Sequence, residues 1–331
     1  MAEPSLKVQA WAFFDQVVES AAFKALNPWE LVDGKLTYVP DFETLALLLG
    51  VPLKLRATSQ SGVPALALDV WTSYELRRAG FDSDRVWPRA SAPRVLPYDV
   101  SVFVESLPIR LKRDVQARLE RGQSGGTASA SANLLGKNYV KQVDVVMSSW
   151  QTGPELLIST KRMDSSFGKN AANRVEESYG DAKNLSLRHP QAALGFLYGL
   201  RSTAFDDEPD TAAWLVDLLA KLGREEDAYD AVGMLVIQYN IFVPDQSDPE
   251  EPAPLEIDPA FGSIEDAEEP PPASTAADLD GIPAVTLRQH LVPDELAPAR
   301  FLEVMVRTVL ANSPINFHRE ARRRLGSPRT A

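Results

Sequence analysis

KQVDVVMSSWQTGPELLISTKRMDSSFGKNAANRVEESYGD, Lys141 to Asp181, is the stretch whose reading decides the fold. Residues 140–147 and 155–160 read as two strands joined through a turn around Gly153-Pro154, and a helix follows over about 169–187, with Gly180 as a point of interruption. An apolar strand that keeps a charged residue asks for a reason, and this hairpin keeps two, Asp144 and Lys161. Alternation puts Glu155, Leu157, Ser159 and Lys161 on one face of the second strand and Leu156, Ile158 and Thr160 on the other. On the first strand Gln142 and Asp144 share a face opposite Val143 and Val145. The hairpin therefore brings Asp144 towards Ser159 and Lys161, and the helix swings Glu176 or Glu177 back towards the strand ends.

Oxygen ligands beside an amine suit a divalent magnesium ion, which takes carboxylates and carbonyls and keeps several waters. Asp144 and one of the two glutamates would supply carboxylates, and the backbone carbonyl of Thr160 a third oxygen. Lys161 would orient an attacking water, and Ser159 would hold a metal-bound water or the glutamate supplied by the helix. A structural alternative stands beside this one: Asp144 and Lys161 as a buried ion pair, with Arg174, Glu177, Asp181 and Lys183 as ordinary charges of a solvated helix face.

Asp144, then Ser159-Thr160-Lys161, then Glu176, resembles the PD-(D/E)xK nuclease fold of type II restriction endonucleases and related repair enzymes. Val143 stands where that family usually has proline, and Ser159 where it usually has an acid two residues before the lysine. Some members replace that acid by serine and supply a glutamate from the following helix, as Glu176 or Glu177 would here. An acid from an earlier helix often completes the site, a part matched by Glu105. The resemblance implies an α/β restriction-endonuclease-like core, with a mixed central sheet flanked by helices and an added N-terminal helical region. It implies Asp144, Lys161, Glu176 and Ser159 as catalytic residues, and Asp144, Glu176, Glu177, Glu105 and Thr160 around Mg²⁺. The activity implied is hydrolysis of double-stranded DNA by a homodimer, in restriction or phage defence. The rival expectations are a DNA-binding or regulatory protein that keeps the fold without turnover, and a scaffold of a defence complex.

Composition bounds these expectations. The absence of cysteine removes disulfides, thiolate zinc sites and cysteine nucleophiles, and fits a reducing cytoplasm. Three histidines, His189, His290 and His318, are too few and too scattered for a zinc site built on imidazole. No run approaches the length of a membrane span, and the first residues lack the pattern of a signal peptide. The net charge of −12 opposes nucleic-acid binding only in bulk. Twelve acids and no lysine or arginine fall within 245–280, which leaves 34 acidic residues against 34 basic ones elsewhere. Lys137, Lys141, Arg162, Lys169, Arg174 and Arg113 are the candidates for contact with DNA. The arm around SYELRRAGFDSDRVWPR has the content of a base-reading element and equally that of a packing loop pinned by Trp87.

Four regions follow: an N-terminal helical or recognition region over 1–99, a nuclease core over 100–243, an acidic proline-rich segment over 244–283, and C-terminal helices with a basic tail over 284–331. Within them the pattern predicts helices over 5–26, 42–48 (stopped at Gly50), 66–80 (closed by Gly80), 101–121 (kinked or restarted at Pro108), 128–135, from Pro190 through QAALGFLYGLR, and over 211–222. It predicts two short strands about Asp33-Gly34 and a buried strand over 229–239. Residues 122–126 read as a flexible joint, and the acidic segment as one without a fixed fold, placed to cover a basic face.

Overall fold

The computed structural model describes residues 4–23, 27–120, 131–240 and 279–330, apart from the side chains of residues 169 and 170. Helix α1 (Leu6–Ala22) starts at Ser5, whose hydroxyl accepts from the Val8 N–H, and a hairpin follows, β1 (Trp29–Val32) and β2 (Lys35–Tyr38). The hairpin turns on Asp33 and Gly34, both with positive φ, as the two-residue loop requires. Asp41 caps α2 (Phe42–Lys54), and α3 (Val63–Arg78) follows. Then come β3 (Val86–Trp87), α4 (Tyr98–Glu105), α5 (Ile109–Glu120), β4 (Ala132–Leu135), β5 (Val140–Val143), β6 (Val145–Ser149) and β7 (Gly153–Met163). The second half holds α6 (Phe167–Ser186), β8 (Ala193–Arg201), α7 (Thr203–Asp207), α8 (Pro209–Leu222) and β9 (Ala231–Gln238). After the undescribed stretch come β10 (Thr286–Leu287), α9 (Pro298–Asn312), α10 (Arg319–Gly326) and β11 (Arg329–Thr330).

The architecture is α/β, built on a six-stranded mixed sheet in the order β10-β9-β8-β7-β6-β3. Strands β7, β8 and β9 run parallel, and β6 pairs antiparallel with β7. One face of the sheet packs against α1, α2, α3 and α9 in a core that includes Phe14, Trp71, Ile158 and Phe301. The other packs against α6 and α8 through Leu157, Phe196, Val175 and Leu215. The helices at the two ends of the chain thus share one core with the sheet. Phe301 of α9 lies directly over Gly195 and Gly233, where an added Cβ would meet it at 3.0 and 2.8 Å. Strand β11 closes the small sheet by pairing parallel with β1.

Several expectations need correction. QAALGFLYGLR forms the central strand β8 and not a helix. Its run is apolar throughout because both faces are covered, as parallel interior strands require, so no strand period survives to be read. Residues 132–135 are strand β4 rather than part of a helix over 128–135, of which 128–130 lie outside the described residues. Helix α2 runs through Gly50, because this glycine is there for close packing: an added Cβ would sit 2.6 Å from the Pro283 carbonyl. Helix α6 passes Gly180 without a break, and Pro108 separates two helices. The strand expected over 140–147 is interrupted at Asp144, its two parts pairing with different partners, β4 and β7. The joint at 122–126 and nearly all of the acidic segment lie outside the described residues.

Candidate functional site

Asp144 occupies the break between β5 and β6, where the chain leaves one ladder and joins another. Its Oδ2 accepts the Thr160 N–H at 2.8 Å, so the carboxylate caps the end of the β6–β7 pairing. The Thr160 hydroxyl, on the opposite side of the same residue, donates to Oδ1 of Asp69 at 2.5 Å. Asp69 comes from α3, on the far core face, and is 9% exposed. Two carboxylates from distant parts of the chain therefore converge on one strand residue near the C-terminal end of β7. Both line a cleft of about 220 Å³ together with Lys7, Trp11, Gln142 and Val143. At roughly 30 Å³ per water this is room for an ion, part of its hydration and one phosphate, but not for a base pair.

The electrostatics follow from that convergence. Burial pushes the Asp69 carboxyl well above its usual range, and the charge of Asp144 pushes it further, against relief from Thr160, Lys161 and Lys7. Burial also raises Asp144, with Lys161 and the Thr160 N–H as the main opposing influences. The Lys161 ammonium is pulled below its ordinary value by burial, while Asp144 holds it up. Lys161 also feels Arg174 and Glu177 of α6 and Lys141 of β5. Two buried carboxylates, one of them made harder to ionise by the charge of the other, are relieved by a bound cation.

Helix α6 and the β4–β5 hairpin are fastened together behind this site. Asn184 accepts the N–H groups of Asn138 and Tyr139 and donates to the Tyr139 carbonyl. An Asn184 side chain packed where Gly136 would carry a Cβ explains that glycine. Asp181 accepts the Tyr139 hydroxyl at 3.0 Å and pairs with Lys141 at 2.7 Å. Together they fix where β5 begins, four residues before Asp144.

The remaining expected residues divide. Thr160 belongs to the site through its hydroxyl and N–H, and Ser159 is buried beside it. Glu177 lies on the flank of α6 shared with Arg174 and Asp181, the flank that faces Lys161. Glu176 lies 100° around the helix from that flank, and both glutamates are exposed. Of the two, Glu177 is the one whose charge reaches Lys161. Glu105 is not in the site. It is exposed on α4, bonded to Lys112 at 2.5 Å. The start of α4 is held at the Trp150 turn through Asp99, at the end of β6 opposite Asp144. The acid that a helix brings to Thr160 is Asp69 of α3, and sequence reasoning passed over it. The signal was present: LALDVWTSY is an apolar helix with one internal acid, the same anomaly that singled out Asp144.

No family model, curated protein or solved structure matches this chain. Nor do the described residues contain a group of three or more histidines, aspartates or glutamates able to hold a metal. No described helix is long and apolar enough to cross a membrane.

The DNA candidates fare unevenly. Lys137 is exposed on the β4–β5 turn and Arg113 on α5, both open to a ligand. Arg174 is half-buried near Lys161, Lys141 is tied to Asp181, and the Lys169 side chain lies outside the described residues. Arg162 is a correction: its side chain is 3% exposed, paired with Asp164 at 2.9 Å and packed against Tyr239, so no duplex can reach it. The arm around Trp87 is a packing loop. Its arginines are engaged inside the protein, Arg89 with Asp84, Arg94 with Asp15 and Arg85 with Glu155.

Proposed function

We propose that the chain is a metal-dependent endonuclease acting on double-stranded DNA, with a restriction-endonuclease-like core formed by β6, β7, α6 and β8 and with Asp69, Asp144 and Lys161 as its working groups. The observation that carries this reading is the meeting of Asp69 and Asp144 on Thr160, beside a lysine whose ammonium is partly desolvated. The order of parts supports it as well: an antiparallel hairpin, a helix, then a strand parallel to the second arm, with the polar residues at one end.

The donor set fits magnesium in kind, being all oxygen, with two carboxylates whose mutual repulsion favours a cation. Asp69 and Asp144 would hold the ion, with the Thr160 carbonyl as the third protein oxygen. When bound, the ion supplies positive charge to the phosphoryl oxygens and to the leaving oxygen. Lys161, held near Asp144, orients the attacking water and offsets charge on the phosphate. Glu177 lies on the Lys161 side, placed to receive a proton by way of that water. Ser159 is buried one residue from Thr160, where its hydroxyl is available to a water of the site. Lys137 and Arg113 supply phosphate contacts that place the duplex without reading its sequence. A homodimer that cuts both strands, in restriction or phage defence within the cytoplasm, is the setting this reading implies.

A non-catalytic protein with the same fold is the second reading, favoured by the serine at position 159 and by the lack of a third clustered acid among the described residues. Incubating supercoiled plasmid with the wild type and with Lys161→Ala, with magnesium or with EDTA, separates the two. The endonuclease reading expects magnesium-dependent linear or nicked product, reduced by about 100-fold or more in Lys161→Ala. DNA that is bound but left intact by the wild type, over a broad panel of plasmid and phage substrates, would establish the second reading.

A further inference from the structure

A second and larger cleft, of about 750 Å³, lies away from the Asp69–Asp144 site, between α1, the end of α3, the loop over 90–94, the end of α5, and α10. Its volume is that of a site for a small organic ligand. Four arginines line it: Arg77, Arg78, Arg94 and Arg324. Three of them have carboxylate partners, Arg78 with Glu75 at 2.6 Å, Arg94 with Asp15 at 2.7 Å and Arg324 with Glu320 at 2.7 Å. Arg77 has none among the described residues. It donates to two neutral acceptors, the Pro88 carbonyl at 3.1 Å and the Ser73 hydroxyl at 3.2 Å. Burial, and then the neighbouring charge of Arg94, push its guanidinium down to about 10. The charge of Asp15, which is paired with Arg94, opposes this shift in part, but Asp15 makes no ion pair with Arg77 among the described residues. A cation bonded only to neutral acceptors beside a second cation is an arrangement completed by an anionic ligand.

The rest of the lining says what kind of anion. Glu19 and Glu120 are exposed at the cleft and form no ion pair among the described residues. They oppose a polyanionic strand, and they accept hydrogen bonds from hydroxyl groups. The Tyr74 ring lines the same wall.

We propose that this cleft binds a small phosphate monoester with free hydroxyls, of the size of a sugar phosphate or nucleoside monophosphate, its phosphate on Arg77 and its hydroxyls on Glu19 and Glu120. The site is independent of the nuclease reading, since it shares no residue with the smaller cleft.

The test is calorimetric titration of the full chain, in EDTA, with ribose 5-phosphate, adenosine 5′-monophosphate and inorganic phosphate. At least one of the two esters is expected to bind saturably with a dissociation constant of ~1 mM or tighter, and inorganic phosphate about tenfold more weakly. Arg77→Gln is expected to weaken the ester by about tenfold or more. Ser91→Glu, which sets a negative charge on the exposed loop at the cleft without touching a packed side chain, gives the same loss should Arg77→Gln fail to fold. Glu19→Gln is expected to weaken the ester and leave inorganic phosphate unchanged. Absence of saturable binding by either ester overturns the proposal. So does binding that survives both Arg77→Gln and Ser91→Glu, or inorganic phosphate binding as tightly as the esters.

Discussion

Replacing Asp69 by asparagine separates what this residue does for function from what it costs the fold. Asparagine keeps the shape and an oxygen to accept the Thr160 hydroxyl, which now reaches Asp69 at 2.5 Å, so the substitution removes charge and little else. The folded carboxyl is raised by burial and by Asp144, well above the range it has in an unfolded chain. The native state therefore binds a proton that the unfolded state has released. The stabilisation from this group is complete below the ordinary aspartate range and is lost as pH rises, until the raised folded value is passed. Within that window the wild type loses about 1.4 kcal/mol per pH unit relative to Asp69→Asn, for this one group. With roughly 2–4 °C per kcal/mol for a domain of moderate size, the gap in melting temperature widens by about 3 to 6 °C per pH unit. Thermal unfolding of both proteins in EDTA between about pH 5 and 8 reads this directly. Asp69→Asn should melt higher at neutral pH while plasmid cleavage in magnesium falls by about 100-fold or more. Parallel pH profiles, or a variant that melts lower at neutral pH, would refute the account of a strained carboxylate pair. Intact cleavage in the variant would remove Asp69 from the site.

Other perturbations have distinct signatures. Glu177→Gln should slow plasmid cleavage by about tenfold, whereas Glu176→Gln should stay within about twofold of wild type, as measured by initial rates in magnesium. Arg162→Ala should destabilise by about 3 kcal/mol in denaturant titration, because it leaves Asp164 without its buried partner, and DNA affinity of the folded fraction should not change. Glu155 resists burial through its hydrogen bond and charge interaction with His318, with further help from Thr152 and Arg85, and its carboxyl lies below the usual glutamate range. Its stabilisation is present above that range and is lost as pH falls through the folded value. Glu155→Gln should thus lower stability by about 2 kcal/mol at neutral pH and flatten the acid limb of the melting curve below about pH 4.5.

What could be read from the sequence followed from local periods. Asp33-Gly34, the β6–β7 hairpin, α8 and β9 all announce themselves within a window of a dozen residues, and so do Asp144 and Lys161 as charges out of place. The misses were of another kind. Strand β8 lost its alternation because α9 and α6 cover its two faces, and neither cover can be seen from residues 190–201 alone. Gly50 was read as a stop, whereas it answers to Pro283, more than two hundred residues away. Glu105 was matched to the acid of an earlier helix and Asp69 was passed over, while the fold brings α3, not α4, to Thr160. Arg162 follows Lys161 directly, yet strand alternation and the Asp164 carboxylate direct it inwards.

The order in which the chain is made gives the shared core a further meaning. Helix α3, which carries Asp69, packs in the same apolar layer as Phe301, Met305 and Val309 of α9, and β11 pairs with β1 at the opposite end of the chain. A nascent polypeptide emerging from the ribosome has all the groups of the smaller cleft long before it has the layer that holds them in place. The two carboxylates are gripped only once residues 298–330 are free to dock. A chain released early, or clipped so that its closing helix is lost, would carry the chemistry in its sequence without the means to assemble it.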